Sequence, residues 1–332
     1  MNGQTGQNKP QYKIQSGAQA IIDDVPDIVH IVEQVFRAQS KIAVIGKWKV
    51  AKSFFTIQLG VSIASGADFL GFKTTASNVL YINFEISDEM LHQRIQDLHH
   101  SFPNCNLARF KYLTITDLSL DASTGELEAI LDESASQGFP VQVLIIDPRM
   151  KAITRDSNQD EVVRAFCVNL DRIISKYKLA VIIVHHEGVA TNPDKAGKGS
   201  TVFEAWLDGW FKIKPLTGIS DNIREIHIWS RDCERQVLTT KFVYPIHEIS
   251  QDALDARKAK TQAAKDCIIA TVRTNILEER EVRFQVIAAG HTEYAFWRAR
   301  KELVEEGRLL ISKAPSQVGN RKLMQLVSLP HP

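Results

Sequence analysis

Residues 43–55 read Ala43-Val44-Ile45-Gly46-Lys47-Trp48-Lys49-Val50-Ala51-Lys52-Ser53-Phe54-Phe55. The apolar, β-branched run from Lys41 to Ile45 predicts a strand, and Phe54 to Ala64 carries apolar residues at helical spacing. Between them, Gly46 to Ser53 comes within one residue of the pattern G-x-x-x-x-G-K-[ST]. A loop of this kind curls successive backbone N–H groups around an anion at the positive end of a helix, so that the anion satisfies donors otherwise left without partners. Gly46, Lys47, Trp48, Lys49, Val50, Ala51, Lys52, Ser53 and Phe54 are therefore candidate nucleotide contacts. Lys52 is placed to reach the β- and γ-phosphates, and the Ser53 hydroxyl to complete a Mg²⁺ shell. The departure is Ala51, where the pattern has glycine. Its methyl group penalises a positive φ, which tightens or distorts the cradle without abolishing it. Taken alone, the motif also suits a lysine-rich surface turn ahead of an amphipathic helix.

The chain has 332 residues, enough for one large domain and a small one, with 44% hydrophobic and 24% charged residues. A net charge of +1 excludes an overall basic excess, so any nucleic-acid site must be local. Cys105, Cys167, Cys233 and Cys267 have no paired short spacing, which argues against a zinc site or a disulfide framework and for a reducing cytoplasm. No apolar run approaches the length of about 20 residues that a bilayer requires, and Met1 to Gln15 lacks the apolar centre of a signal peptide. A cytoplasmic protein without membrane contact is expected.

The pattern divides the chain into a flexible N-terminus (1–24), a large α/β domain (25–247), a linker that becomes helical (248–260) and a small C-terminal domain (261–332). Ile28, Ile31, Val32, Val35 and Phe36 fit one face of a helix ending before the first strand. Strands are predicted at 78–83, 110–115, 141–147 and 179–185, separated by helices at 88–100, 125–135 and 159–177. Strands alternating with helices imply βαβ units and a doubly wound, mainly parallel sheet. Ala205 to Lys214, Asn222 to Ser230 and Gln236 to Val243 read as successive strands, hence an antiparallel edge.

Three further features converge on the ligand edge of such a sheet. Val143-Leu144-Ile145-Ile146-Asp147 is a buried strand delivering a carboxylate, suited to hold Mg²⁺ through water. Glu85 ends the strand Val79 to Phe84, where it could orient or deprotonate an attacking water; the plainer reading is a surface carboxylate before Ser87. His185 and His186 point to opposite sides of one strand, so they do not share a metal, and a neutral imidazole there can contact a γ-phosphate.

Gly46 to Ser53, Leu80 to Glu85, Leu144 to Pro148, Val184-His185-His186 and Lys198-Gly199-Ser200, in that order, resemble the RecA-like ATPase core, and within it the branch of plasmid RepA-type hexameric helicases related to DnaB. The resemblance spans about Val35 to Val243. It implies an ATP- and Mg²⁺-dependent ATPase that forms a homo-oligomer, a hexamer in that branch, and acts on DNA. Glu85 then corresponds to the catalytic base and His186 to the γ-phosphate sensor. Residues 187–199, with Lys195 and Lys198, fall where such proteins place a DNA-contacting loop. Arg231, with Arg235 as second choice, falls where the family carries the arginine finger that reaches a neighbouring subunit's nucleotide; an ordinary hairpin salt bridge is the alternative. Trp229 stands where DnaB-like chains often have lysine, which with Ala51 puts the turnover rate in question.

The C-terminal order of helix, helix, helix and hairpin is similar to a winged helix. Its recognition helix would be Thr292 to Glu306, closed by Gly307 and exposing Tyr294, Arg298, Arg300 and Lys301, with a wing between Lys313 and Lys322 that includes Arg321. Glu302, Glu305 and Glu306 dilute the positive face, so a protein-contact role stays open. The leading expectation is a helicase of a plasmid, phage or mobile element. An ATP-gated DNA-binding regulator or loader is the alternative, and a scaffold with a decayed site is a third reading.

Overall fold

The computed structural model describes residues 16–23, 28–156, 159–187, 201–216, 220, 222–273, 276–313 and 322–326. In chain order these form α1 (Gly17–Ile22), β1 (His30–Val32), β2 (Phe36–Arg37), β3 (Lys41–Gly46), α2 (Lys52–Ser65), β4 (Val79–Asn83), α3 (Asp88–Ser101), β5 (Phe110–Thr114), α4 (Gly125–Ser136), β6 (Val143–Asp147), α5 (Asp160–Tyr177) and β7 (Ala180–His186). There follow α6 (Thr201–Trp206), β8 (Gly209–Pro215), β9 (Ile223–Ser230), β10 (Cys233–Val243), β11 (Ile246–Ile249), α7 (Gln251–Val272), β12 (Leu277–Glu278), α8 (Glu279–Ala288), α9 (Glu293–Glu305), β13 (Leu309–Lys313) and β14 (Lys322–Leu326).

The fold is the expected α/β architecture, a doubly wound, mainly parallel sheet with an antiparallel edge. Its strand order is β11-β10-β9-β8-β3-β7-β6-β4-β5. β5, β4, β6, β7, β3 and β8 run parallel, while β9, β10 and β11 close one edge antiparallel. The central parallel strands β3, β4, β6 and β7 are buried on both faces, which explains why β3, β6 and β7 read as continuous apolar runs without alternation. One face packs against α2 and α3 through Phe55, Leu59, Ile63, Leu91 and Ile95. The other packs against α4 and α5 through Leu127, Leu131, Val163, Phe166 and Leu170.

Register aligns the strand ends. Gly46 lies opposite His186 on β7, and Asn83 lies opposite Asp147 on β6. Gly46 also faces Ile213 on β8, and a Cβ at Gly46 would stand 2.8 Å from the Ile213 carbonyl oxygen. Only glycine lets the chain leave the sheet at this point without moving a neighbouring strand.

Two expectations are corrected. The helix expected over 25–39 is absent from its described part, 28–39. There β1 and β2 pair across a tight turn instead, and residues 24–27 lie outside the described part. Ile31, Val32, Val35 and Phe36 are all buried as expected, but a spacing of one, three and one residues serves a two-strand turn as well as a helical face. Gln34 and Gln39 take positive φ values of 60° and 64°, and Ile31 and Glu33 bond the backbone of Thr75 and Lys73, which a helix could not offer. The strand expected from Ala205 starts only at Gly209, because Ala205 and Trp206 end α6. The edge strand β11 was not foreseen.

Segment 248–260 is continuous helix from Gln251, and α7 runs on to Val272, capped by the Ser250 hydroxyl, which accepts from Ala253 N at 3.3 Å. The second half of α7 shares a small core with α8, α9 and the β13–β14 hairpin, built on Ile268, Val282, Phe296, Leu303 and Met324. This unit meets the large sheet through a charge cluster. The Glu225 carboxylate on β9 is almost wholly buried and receives Arg257 of α7 and Arg298 of α9, each at 2.9 Å, with His227 at 3.2 Å. Glu225→Gln leaves the two guanidiniums without their counter-charge. We expect it to lower the unfolding free energy by about 3 kcal/mol, read from urea denaturation.

Candidate functional site

The segments at the carboxyl ends of β3, β4 and β7, together with α3 and β10, surround one cavity. It has a volume of about 450 Å³ and is lined by Trp48, Lys49, Ala51, Lys52, Ser53, Phe54, Glu85, Ile86, Arg94, His186 and Phe242. The loop leaving Gly46 holds Lys49 at φ 63° and Ala51 at φ 64°, ψ 34°. The pattern's glycine position is thus occupied by an alanine in the left-handed conformation that glycine takes freely, at a cost of about 1 kcal/mol. Val50 is buried beneath the loop, whereas Lys47, Trp48 and Lys49 are exposed and Trp48 stands out at 72%.

Lys52 is buried and its Nζ donates to the Lys47 carbonyl at 2.7 Å, so the loop closes on its own lysine. Burial lowers its pKa to about 8, against the pull of Asp147, Glu85 and Glu187, which raise it. Asp147 sits at the end of β6 with 2% exposure. Burial raises its pKa, while hydroxyls of Tyr81 and Ser53 draw it down. Tyr81 donates a short hydrogen bond to Asp147 Oδ2, and Oδ1 has no protein partner. A buried carboxylate oxygen without a donor, beside a serine hydroxyl, fits a hydrated Mg²⁺ that Asp147 and Ser53 could hold.

Glu85 is aimed by local chemistry. Asn83 accepts from the N–H groups of Glu85 and Ile86 at 3.2 and 3.3 Å and donates to the Ile86 carbonyl at 2.6 Å. This side-chain turn bends the chain out of β4, and Ser87 then caps α3 by accepting from Met90 N. The Glu85 carboxylate, half exposed, stands 4.0 Å from His186 Nε2. Burial, then Lys52, holds His186 below its ordinary pKa against the opposing pull of Glu85, so the imidazole is neutral at pH 7. His185 faces the other way as expected, buried against Phe203 at 5.4 Å, with its pKa driven to about 3 mainly by burial.

The sequence reading missed four groups. Arg94 on α3 lies over the Phe54 ring at 4.7 Å and lines the cavity, with Phe242 of β10 5.6 Å from Phe54 on the same wall. Arg149, just after Asp147-Pro148, is buried on the Phe203 ring at 4.5 Å with Nε and one Nη unpartnered, and burial lowers its pKa to about 10. His247 of β11 lies beneath the phosphate loop. Of these, only Arg149 carried a signal, its place next to a strand-end carboxylate; the rest arrive from helix and strand positions that spacing does not connect to the loop.

The remaining described candidates do not line the cavity. Gly209 pairs with both Ile42 and Ser230, so the turn after β9 is at the end of the sheet opposite Gly46. Arg231, in that turn, pairs with Asp208 at 3.0 Å, and Asp208 also accepts from Lys41 N. Arg235 lies 5.9 Å from the Trp210 ring. In the C-terminal unit Arg298 and Arg300, expected exposed, are largely covered, held by Glu225 and Glu279. The reason is that α9 turns this face toward β9 and α8. Lys301 is 73% exposed beside Glu305. Lys313 ends β13, and Lys195, Lys198 and Arg321 lie outside the described residues.

The family described as AAA domain matches residues 10–192, more than half of the chain. The chain belongs to the AAA domain family. This is a family of P-loop ATPases, which typically use ATP and Mg²⁺, and the match contains the loop, Glu85, Asp147 and His186. A KaiC-like protein from the hyperthermophilic archaeon Pyrococcus horikoshii OT3 is similar at 11% identity with a TM-score of 0.45, over 66% of this chain and 93% of that one. No curated protein matches. No described helix is long and apolar enough to cross a membrane, and no described group of three or more His, Cys, Asp or Glu side chains could hold a metal ion.

The two buried histidines make stability depend on pH. His185 and His247 have folded pKa values of about 3 and about 4 against 6.5 for an ordinary imidazole. The unfolded chain therefore takes up protons first, and stability is full above pH 6.5 and falls as the pH drops toward 4. At pH 5 we expect a loss of roughly 2 kcal/mol for each imidazole relative to pH 7.5, read from denaturation midpoints.

Proposed function

We propose that this AAA domain protein hydrolyses ATP with Mg²⁺ and couples the reaction to DNA as a homo-oligomeric ring, in the manner of a replicative-type helicase of a plasmid, phage or mobile element. The observation that carries the enzymatic part is the meeting of Lys52, Ser53, Glu85 and His186 around one cavity, with Asp147 buried beside Ser53. The loop N–H groups and Lys52 would hold the β- and γ-phosphates. Bound Mg²⁺, held by Ser53 and by Asp147 through water, would neutralise charge developing on the phosphates. Glu85 would orient and deprotonate the attacking water, and the neutral His186 would donate to a γ-phosphate oxygen. The Phe54–Phe242 wall with Arg94 offers a flat face for the base.

The DNA part rests on the resemblance to RepA-type helicases and on the C-terminal unit, in which Lys301 and Lys313 are the candidate phosphate contacts with Arg321, alongside Lys195 and Lys198 after β7. Arg231 and Arg235, remote from their own phosphate loop, would serve a nucleotide only across a subunit boundary. The second reading, an ATP-gated DNA-binding regulator or loader, draws on the same C-terminal unit, where Lys301 stays exposed while Arg298, a candidate DNA contact, is held by Glu225.

Lys52→Ala should weaken ATP binding by at least about tenfold, the scale of one charge-assisted contact. Glu85→Gln should keep binding and lower turnover by about 100-fold or more, measured by phosphate release. Full turnover in Glu85→Gln would remove Glu85 as base. Single-stranded DNA should stimulate turnover in the helicase reading, whereas ATP-dependent duplex binding without stimulated turnover would favour the regulator.

A further inference from the structure

A residue far along the chain stabilises the part of the phosphate loop that departs from the pattern. His247 is 1% exposed on β11, and its Nε2 lies 3.4 Å from the carbonyl oxygen of Ala51. The same carbonyl accepts the first bond of α2, from Phe55 N at 3.0 Å. The other ring nitrogen, Nδ1, is buried without a partner, so the tautomer that satisfies a bond carries its proton on Nε2 and donates it to Ala51.

The ring is held on every side. Its plane stands at 82° to Phe55 with centroids 5.5 Å apart, and Phe242 lies 5.0 Å away. The backbone is fixed by Gln58 of α2, whose amide donates to His247 O at 2.9 Å and accepts from His247 N at 2.8 Å. Gln58 is itself buried. A side chain bonding both backbone groups of one residue 189 positions away sets the ring's height over the loop to within a hydrogen-bond length.

We propose that His247 is a positioning residue for nucleotide binding: its imidazole holds the Ala51 peptide in the left-handed turn that a glycine would adopt unaided. Ala51 resists that turn because its Cβ crowds the following carbonyl. A donor fixed against the Ala51 carbonyl offsets the resistance, since leaving the turn would break a buried hydrogen bond. The loop N–H groups then stay aimed at the phosphates even without the glycine. This rests on the ATP-binding reading of the cavity, and it adds a residue from β11, outside residues 10–192 that carry the family match.

The test is a double-mutant cycle on the full chain, with Mg·ATP binding measured by calorimetry. His247→Phe keeps the ring and removes the donor, and we expect it to weaken ATP binding by about tenfold, the worth of one net hydrogen bond. In the Ala51→Gly background the same change should cost less than about threefold, because glycine needs no support. His247→Gln, which can still donate, should recover part of the affinity. Equal losses in both backgrounds would overturn the proposal, as would unchanged affinity in His247→Phe alone. If His247→Phe does not fold but the Ala51→Gly double variant does, the proposal stands; if neither folds, the role is packing and the proposal falls. Failure of the ATP reading is separate: the unaltered chain would then bind no Mg·ATP. The cycle is in that case read from urea midpoints of the apo protein, where the same loss of coupling on Ala51→Gly is expected and additivity overturns it.

Discussion

The site depends on the in-register parallel pairing of β3 with its neighbours. β7 on one side and β8 on the other fix where β3 ends, and the close approach of Ile213 O forbids any side chain at Gly46. With β7 lying between β3 and β6, the phosphate loop, the two histidines and Asp147 emerge side by side, and β4 adds Glu85 next to Asp147. A slip of one residue in β7 would exchange the faces that His185 and His186 present, sending the buried ring to the cavity. Both faces of β7 pack into apolar cores, so such a slip would require both layers to be repacked at once.

That arrangement places charges where water cannot reach them. Lys52, Asp147 and Arg149 are each 5% exposed or less, and the unligated protein satisfies them only in part. Lys52 turns to a loop carbonyl, Asp147 takes one donor from Tyr81 while its second oxygen waits, and Arg149 rests on an aromatic face. Burying a charge without full pairing costs free energy. The cavity is therefore predisposed to a ligand carrying both signs, since a polyphosphate with its cation supplies the anion that Lys52 lacks and the Lewis acid that Asp147 Oδ1 lacks. The partly satisfied charges and the proposed affinity for such a ligand are two consequences of one burial.

What the sequence made legible follows from which signals are local. Gly46 to Ser53, Asp147, Glu85 and the histidine pair each lie within or beside one apolar strand, and pattern plus spacing located them together with nearly every strand and helix up to Tyr177. The hairpin of β1 and β2 was misread because four buried apolar residues at close spacing fit two periodicities, and the deciding partners, Lys73 and Thr75, are some forty residues away. Arg94 and His247 escaped because their relation to the loop exists only in three dimensions. Arg298 was legible as a cation on α9 but not as a cation turned inward, since its partner Glu225 lies on another strand.

The antiparallel edge explains why these long-range residues matter. β9, β10 and β11 follow the alternation of strand and helix as a continuous meander, and they bring the chain along the sheet until β11 packs against α2. There β11 is clamped by Gln58, and α7 starts one residue beyond it at Gln251. The same meander carries Glu225, the anchor for Arg257 and Arg298. The C-terminal unit is thus attached to the sheet by its covalent lead-in from β11, by a small apolar cluster of Ala253 with Leu216 and Ile223, and by a buried carboxylate, while its main apolar core is separate from both cores of the sheet. An attachment made by charge is directional: it fixes the angle of α9 against β9, yet it gives way to any competing anion that both arginines prefer. Contacts through apolar area alone would have no such sensitivity.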